Sequence, residues 1–255
     1  DDFWETDNKV RDRMMKLAKN TDTKTEGGRY AFIDQQRLHR WKTSNDEKIG
    51  KAWKHIIKNK ADKPLPRGKA VLAYGDGVAK NSSRADLLMK VAADKSDDNT
   101  VRTNALYGLG EIKGDDERGK KARNLMLKLV EDETRIFYSA APTRLAALGD
   151  LTTFEAIAKV HKNKGTEYSG ALLGQSIQDF SRKDFMKEKA GKAAIAKAAK
   201  AVLKSKASKY QKSYIFDGLT RIGGGKMRDI CKAEEKNAED VIAKKAKACS
   251  EKLAK

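Results

Sequence analysis

The run Asp98-Asn99-Thr100-Val101-Arg102-Thr103-Asn104-Ala105-Leu106-Tyr107-Gly108-Leu109-Gly110 decides how the rest of this chain is read. Small and apolar residues recur along it at helical spacing, and it ends in an apolar residue, a glycine and, at Glu111, an acid. The same order can be laid over 66–76 and 140–150, and more loosely over stretches ending Ile177-Gln178-Asp179 and Arg221-Ile222-Gly223-Gly224. The equivalent positions Tyr74, Leu109, Leu148, Ile177 and Ile222 lie 35, 39, 29 and 45 residues apart, spacings that suit a two-helix repeat. Ala105, Gly108 and Ala147 would let a neighbouring helix pack close. The glycine ending a copy is expected to close its helix in the left-handed conformation. Between the copies, 85–93, 122–130 and 154–161 carry apolar stripes suited to partner helices. The expected fold is all-α, an α-solenoid of about five helix pairs with an N-terminal helical cap.

The run over 98–111 resembles the second half of a HEAT or phycobilisome-lyase-type HEAT-like repeat, in which an Asp precedes a Val-Arg pair, followed by an Ala and an apolar-Gly ending. Residues 66–76 and 138–151 resemble it less closely. Arg67 and Arg102 fall at the family's arginine position, whereas Ala141, Gly170 and Ile215 stand there in the later copies, which breaks any continuous Asp/Arg ladder. The resemblance implies a binding scaffold rather than an activity.

Working outward, 1–62 reads as a helical cap region, 63–225 as the HEAT-like repeats and 226–255 as C-terminal helices. In the cap, Val10, Met14, Leu17 and Ala18 recur at helical spacing. Residues 20–28, polar and rich in Thr and Gly, read as a loop. A helix is expected over 30–42, with Ile33, Arg37, Leu38 and Trp41 on one face. Another is expected from Asn45-Asp46, with Ile49, Ala52, Trp53, Ile56 and Ile57 as its stripe. All three tryptophans (Trp4, Trp41 and Trp53) fall here and suit a core that closes the end of a repeat stack, with a ligand platform as the alternative.

Composition fits a thin structure with a large surface: hydrophobic residues make up 39% of the chain and charged residues 36%. The net charge of +19 attracts nucleic acid, anionic membranes and acidic proteins. Only 15 of the 55 basic residues are Arg, and specific phosphate or base reading favours the Arg fork over Lys. No stretch approaches the ~20 apolar residues of a membrane span. The numbering opens on Asp1 rather than Met and the two cysteines are even in number, so an exported, periplasmic or lipoprotein chain is expected, with a cytoplasmic one as the alternative. Cys231 and Cys249 lie 18 residues apart. On one continuous helix they would be ~27 Å apart and unable to bond. A disulfide requires a break, for which Asn237 is suited; two buried free thiols are the alternative.

No catalytic constellation, metal site or cofactor motif emerges. His39, His55 and His161 are dispersed. Gly174-Gln175-Ser176-Ile177-Gln178 lacks the second glycine of a nucleophile elbow. Gly223-Gly224-Gly225-Lys226 is not a phosphate loop, because no Ser or Thr follows the lysine, and reads as an inter-helix turn. Asp76, Glu111, Asp150 and Asp179 recur at repeat ends, as helix-turn caps or as a row of acids that could attract a cation. The strongest charge feature is 182–212, with eleven basic and two acidic residues. It reads as a lysine-ridged helix with Ile195, Ala198, Ala199, Val202 and Leu203 on one face and Lys197, Lys200 and Lys204 opposite. With Arg182 and Lys183 these lysines form the candidate basic surface. The expected function is non-enzymatic binding of a protein partner. The alternatives are a basic HEAT-like nucleic-acid binder related to the DNA glycosylases, acting through its lysines, and an envelope structural protein.

Overall fold

The computed structural model describes residues 16, 23–36, 47–78, 83–112 and 117–254. Among them are fourteen α-helices and one 3-10 turn, and no strand. No helix among the described residues is long and apolar enough to cross a membrane. The chain forms two compact units, Asp1–Ala122 and Arg123–Lys255.

The first unit holds α1 (Glu26–Gln36), α2 (Glu47–Lys58), α3 (Pro64–Gly75), α4 (Arg84–Ala93) and α5 (Asn99–Leu109). Helix α2 buries Ile49, Trp53, Ile56 and Ile57, the stripe read from the sequence, and the Trp53 indole meets Phe32 edge-on at 4.5 Å. Trp4, Trp41, His39, Val10, Met14, Leu17, Arg37 and Leu38 lie outside the described residues. Residues 26–28, expected as part of a loop, are instead the first turn of α1. There the Gly28 N–H is held by Thr25 Oγ1, which satisfies a donor that a helix start leaves unpaired.

Helices α3 and α5, which hold the stretches 66–76 and 98–111, pack directly on each other. They cross at glycine: a Cβ on Gly75 would stand 2.6 Å from Gly108 Cα, and one on Gly108 would stand 2.6 Å from Gly75 Cα. The left-handed caps expected at Gly75, Gly110 and Gly149 are not formed. Gly75 ends α3 inside the helix, Gly110 is right-handed (φ −68°) and Gly149 is extended. After α3 and α5 the chain tightens into i→i−3 bonds, with Val78 N–H donating to Gly75 O and Glu111 N–H to Gly108 O. Such bonds satisfy the last carbonyls without a left-handed residue. Positive φ occurs at Gly165, which closes α9, and at Gly223 and Gly224, the glycines that end the last of the looser copies and make the turn after α12.

The second unit holds most of α6 (Glu117–Asp132), then α7 (Thr134–Phe137), α8 (Ala141–Leu148), α9 (Leu151–Lys164), α10 (Glu167–Phe180), the 3-10 turn Asp184–Lys187, α11 (Lys189–Leu203), α12 (Lys209–Ile222), α13 (Gly225–Ala233) and α14 (Asp240–Lys252). Helices α8, α10, α12 and α14 each pack on the next but one, and α9, α11 and α13 lie against them. Residues 182–212 are thus not one helix. Met186 of the 3-10 turn is fully buried, and a Cβ on Gly191 would stand 2.4 Å from Met186 Cα, so the turn is packed under the start of α11. Three helices here begin with a capping box: Asp150 with Thr153, Thr166 with Ser169, and Ser208 with Gln211. Cys231 and Cys249 are joined by a disulfide across a Cα separation of 5.9 Å, linking α13 to α14. The chain breaks between them at 234–239, where Asn237 Oδ1 accepts from Glu239 N–H before α14 starts.

Candidate binding groove

Helix α11 buries Ile195, Ala196, Ala198, Ala199 and Val202, and this apolar face sets the opposite side toward solvent. Alanine is the dominant apolar residue on it. Short side chains leave the space beside α11 unfilled, and α9 presents Ala158 to the same space. The result is a groove of about 580 Å³ within the second unit, walled by α9 and α11 and floored by Leu173 of α10. Phe154 and Leu173 are buried, whereas Ala158, Ala194 and Ala201 are half-buried and accessible. That volume falls in the range of sites that take one small ligand or one anchoring side chain of a larger partner.

The rim is cationic. Lys159 and Lys162 come from α9, Lys197 from α11, and Lys204 and Lys206 from the turn that follows it. All five are exposed, and none forms a salt bridge among the described residues. Glu155 is the one acid in the lining. Three lysines elsewhere in this unit are paired, Lys187 with Asp184, Lys209 with Glu239 and Lys245 with Asp217. Five ammonium groups around an apolar cleft leave a positive potential focused there.

His161 sits in the wall of the groove, 8% exposed, with Nδ1 3.0 Å from Ser169 Oγ. Burial pushes its pKa down, and the Ala201 carbonyl opposes that only in part. The ring is therefore neutral near pH 7 and adds no charge to the rim. Ser169 is itself fixed, as N3 of the capping box that starts α10.

The sequence-derived basic surface divides. Lys197 and Lys204 line the groove, and Lys200, although exposed on the same helix, does not. Arg182 and Lys183 border a separate cavity of about 250 Å³ beside Thr143 and Asp179. Asp179 is buried there and accepts from Thr143 Oγ1 at 2.8 Å and Gln175 Nε2 at 3.2 Å. The repeat-end acids likewise take separate roles. Asp150 caps α9, with its carboxyl pulled down to about 2: burial opposes this, but hydrogen bonds from Thr152 and Thr153 outweigh it. Asp179 faces α8, and Asp76 follows α3 as its C-cap. His55 is exposed on α2. Among the described residues no three His, Cys, Asp or Glu side chains come together as a metal site would require. Ser176 donates to the Leu172 carbonyl of its own helix and is fully buried.

Lys159, Lys162 and Lys206 were not singled out by the sequence, and His161, one of the three dispersed histidines, proves buried rather than on the surface. The available signal was the shared small-residue face of α9 and α11, since two helices bearing alanine toward one neighbour leave a trench between them. Comparison with protein-family profiles, curated proteins and solved structures finds no match for this chain.

Proposed function

We propose that this chain is a non-catalytic binding protein of the helical-repeat, HEAT-like kind, and that the groove between α9 and α11 is where it engages an anionic macromolecular partner. The observation that carries this reading is the set of five unpaired lysines around an apolar cleft with a single opposing acid. The next-but-one packing of α8, α10, α12 and α14 supports the repeat reading, because stacked helix pairs expose elongated surfaces between successive elements. The Cys231–Cys249 disulfide supports export to an oxidising compartment. A nucleic-acid reading would call for aromatic side chains among the lysines on which bases could stack. The one aromatic side chain of the lining, Phe154, is buried, so an acidic protein segment fits the groove better.

The test is an amide-resolved NMR titration with a Glu-rich peptide at low salt. Shifts concentrated in 155–165 and 194–206, fading as salt screens the lysines, are expected. Shifts spread evenly over every lysine-bearing helix, or none, would overturn the assignment of the groove.

A further inference from the structure

The groove is more than a positive patch, and its two kinds of lining point to a partner of two parts. The lysines stand on the rim, exposed, whereas the floor is apolar and recessed. A purely polyanionic partner would satisfy the rim and leave the half-buried methyl groups of Ala158, Ala194 and Ala201 facing water. A purely apolar partner would leave the lysines unpaired. The two linings are also in register. His161 and Ala201 line the same groove, which brings the C-terminal half of α9 near that of α11. Lys162 and Gly165 at the end of α9 and Lys204, Ser205 and Lys206 at the end of α11 line this part of the groove together. Lys197 lies two helical turns before Lys204, ~10 Å along the axis. Carboxylates spaced on either side of a central side chain would meet lysines from both walls.

Resting on the binding reading above, we infer that the groove takes an acidic protein segment that carries one bulky aliphatic side chain between its carboxylates. The aliphatic group seats over Leu173 and Ala201, and the flanking carboxylates pair with Lys159 and Lys162 on one wall and Lys197 and Lys204 on the other. Charge supplies the approach and orientation, and the seated side chain holds the complex. No covalent step is involved.

Fluorescence anisotropy with the full chain tests this. The probes are a labelled Glu/Ser peptide with one central Leu, the same peptide with Ser in place of Leu, a single-stranded oligothymidylate, and vesicles of phosphatidylcholine with phosphatidylserine. The Leu peptide is expected to bind about tenfold more tightly than the Ser peptide, as partial burial of one such side chain provides. Ala158→Trp, which fills the floor from the exposed side of α9, should remove that difference and leave weak charge-driven binding. Lys197→Glu with Lys204→Glu should abolish binding of both peptides. A thermal melt of each variant separates loss of binding from loss of fold. Equal binding of the two peptides, or an unaltered preference in a folded Ala158→Trp protein, overturns the two-part partner while leaving the charge reading standing. Failure of every probe overturns both. Tighter binding of the oligothymidylate or the vesicles, lost in the lysine variants, assigns the groove to that partner instead and overturns this inference.

Discussion

The two units hold their helices together by different means. In the first, four arginines are buried among the described residues: Arg29, Arg67, Arg84 and Arg102. Three of them reach back ten residues to a carbonyl at the end of a preceding helix, Arg67 to Ile57, Arg84 to Tyr74 and Arg102 to Ala92. A helix leaves its last carbonyls short of partners, and Tyr74 O already accepts from Gly77 N–H, so the guanidiniums of Arg67 and Arg102 satisfy open acceptors, that of Arg84 adds a second donor, and all three fasten one helix to the next. Arg67 also pairs bidentately with Asp97 at 2.7 Å, and Arg29 with Asp62. In the second unit no arginine is buried among the described residues. The buried polar side chains there are hydroxyls with His161 and Asp179, and order comes from capping boxes, apolar packing and a disulfide. Charge is thus drawn into the interior in one unit and left on the surface in the other. A surface of unpaired lysines is available for binding because it is not holding the helices together.

The largest effect that would break this contrast is at Arg67. Arg67→Met leaves Asp97 buried without its partner, both side chains being about 4% exposed or less. A loss of about 3–5 kcal/mol is expected. Urea unfolding gives the size, and hydrogen exchange should place the loosening in α2, α3 and α5. A loss under about 1 kcal/mol would remove the arginine from its structural role. Next is the disulfide. Cys231→Ser with Cys249→Ser opens a loop of 18 residues and is expected to cost about 3 kcal/mol, with α13 and α14 losing protection first. If 1–122 loosens instead, the two units are not separately maintained.

A smaller effect is expected at the glycine crossing. Gly108→Ala places a methyl group against Gly75 Cα and Leu88 Cδ1 and should cost about 1–3 kcal/mol. Gly27→Ala, in open space on α1, should instead raise stability by up to about 1 kcal/mol, which makes it the matched control. Acid sharpens the comparison within the second unit. The Asp150 carboxyl is held at about 2, below the ordinary value of about 3.9, so the cap of α9 is intact above pH ~4 and is lost as pH falls toward 2. The Thr153 amide resonance should report that window, and Asp150→Asn should remove it. The smallest effect belongs to the rim. Lys197→Ala and Lys204→Ala touch no partner in the fold, and stability should stay within about 0.5 kcal/mol of the parent in urea. A larger loss would mean these lysines serve the fold after all.

Much of this could be read from the chain. The stripe of α2, the partner helices α4, α6 and α9, and five helices ending near Tyr74, Leu109, Leu148, Ile177 and Ile222 are all where periodicity places them. Periodicity is a local property, so the sequence carries it openly. Arg67 and Arg102 are buried, and so are Ala141 and Ile215 in the later helices. What the arginines contact was not legible, because Ile57 O and Asp97 are distant in sequence from Arg67. Glycine misled for the same reason. Gly108 is needed for a neighbour's backbone rather than for its own dihedrals, and only the packed pair reveals that.

By itself the sequence determined that this chain is helical, which faces of its helices are apolar, and that its surplus charge is lysine. Tertiary structure alone decided where that charge gathers. Lys197 and Lys200 are three residues apart on one exposed face, yet one borders a groove and the other does not. The difference is set by α9, some forty residues earlier, whose Ala158, Lys159 and Lys162 supply the opposite wall. A groove belongs to two helices at once, and the spacing between two helices is fixed by side-chain volume in the packed interior, which no single stretch of sequence contains.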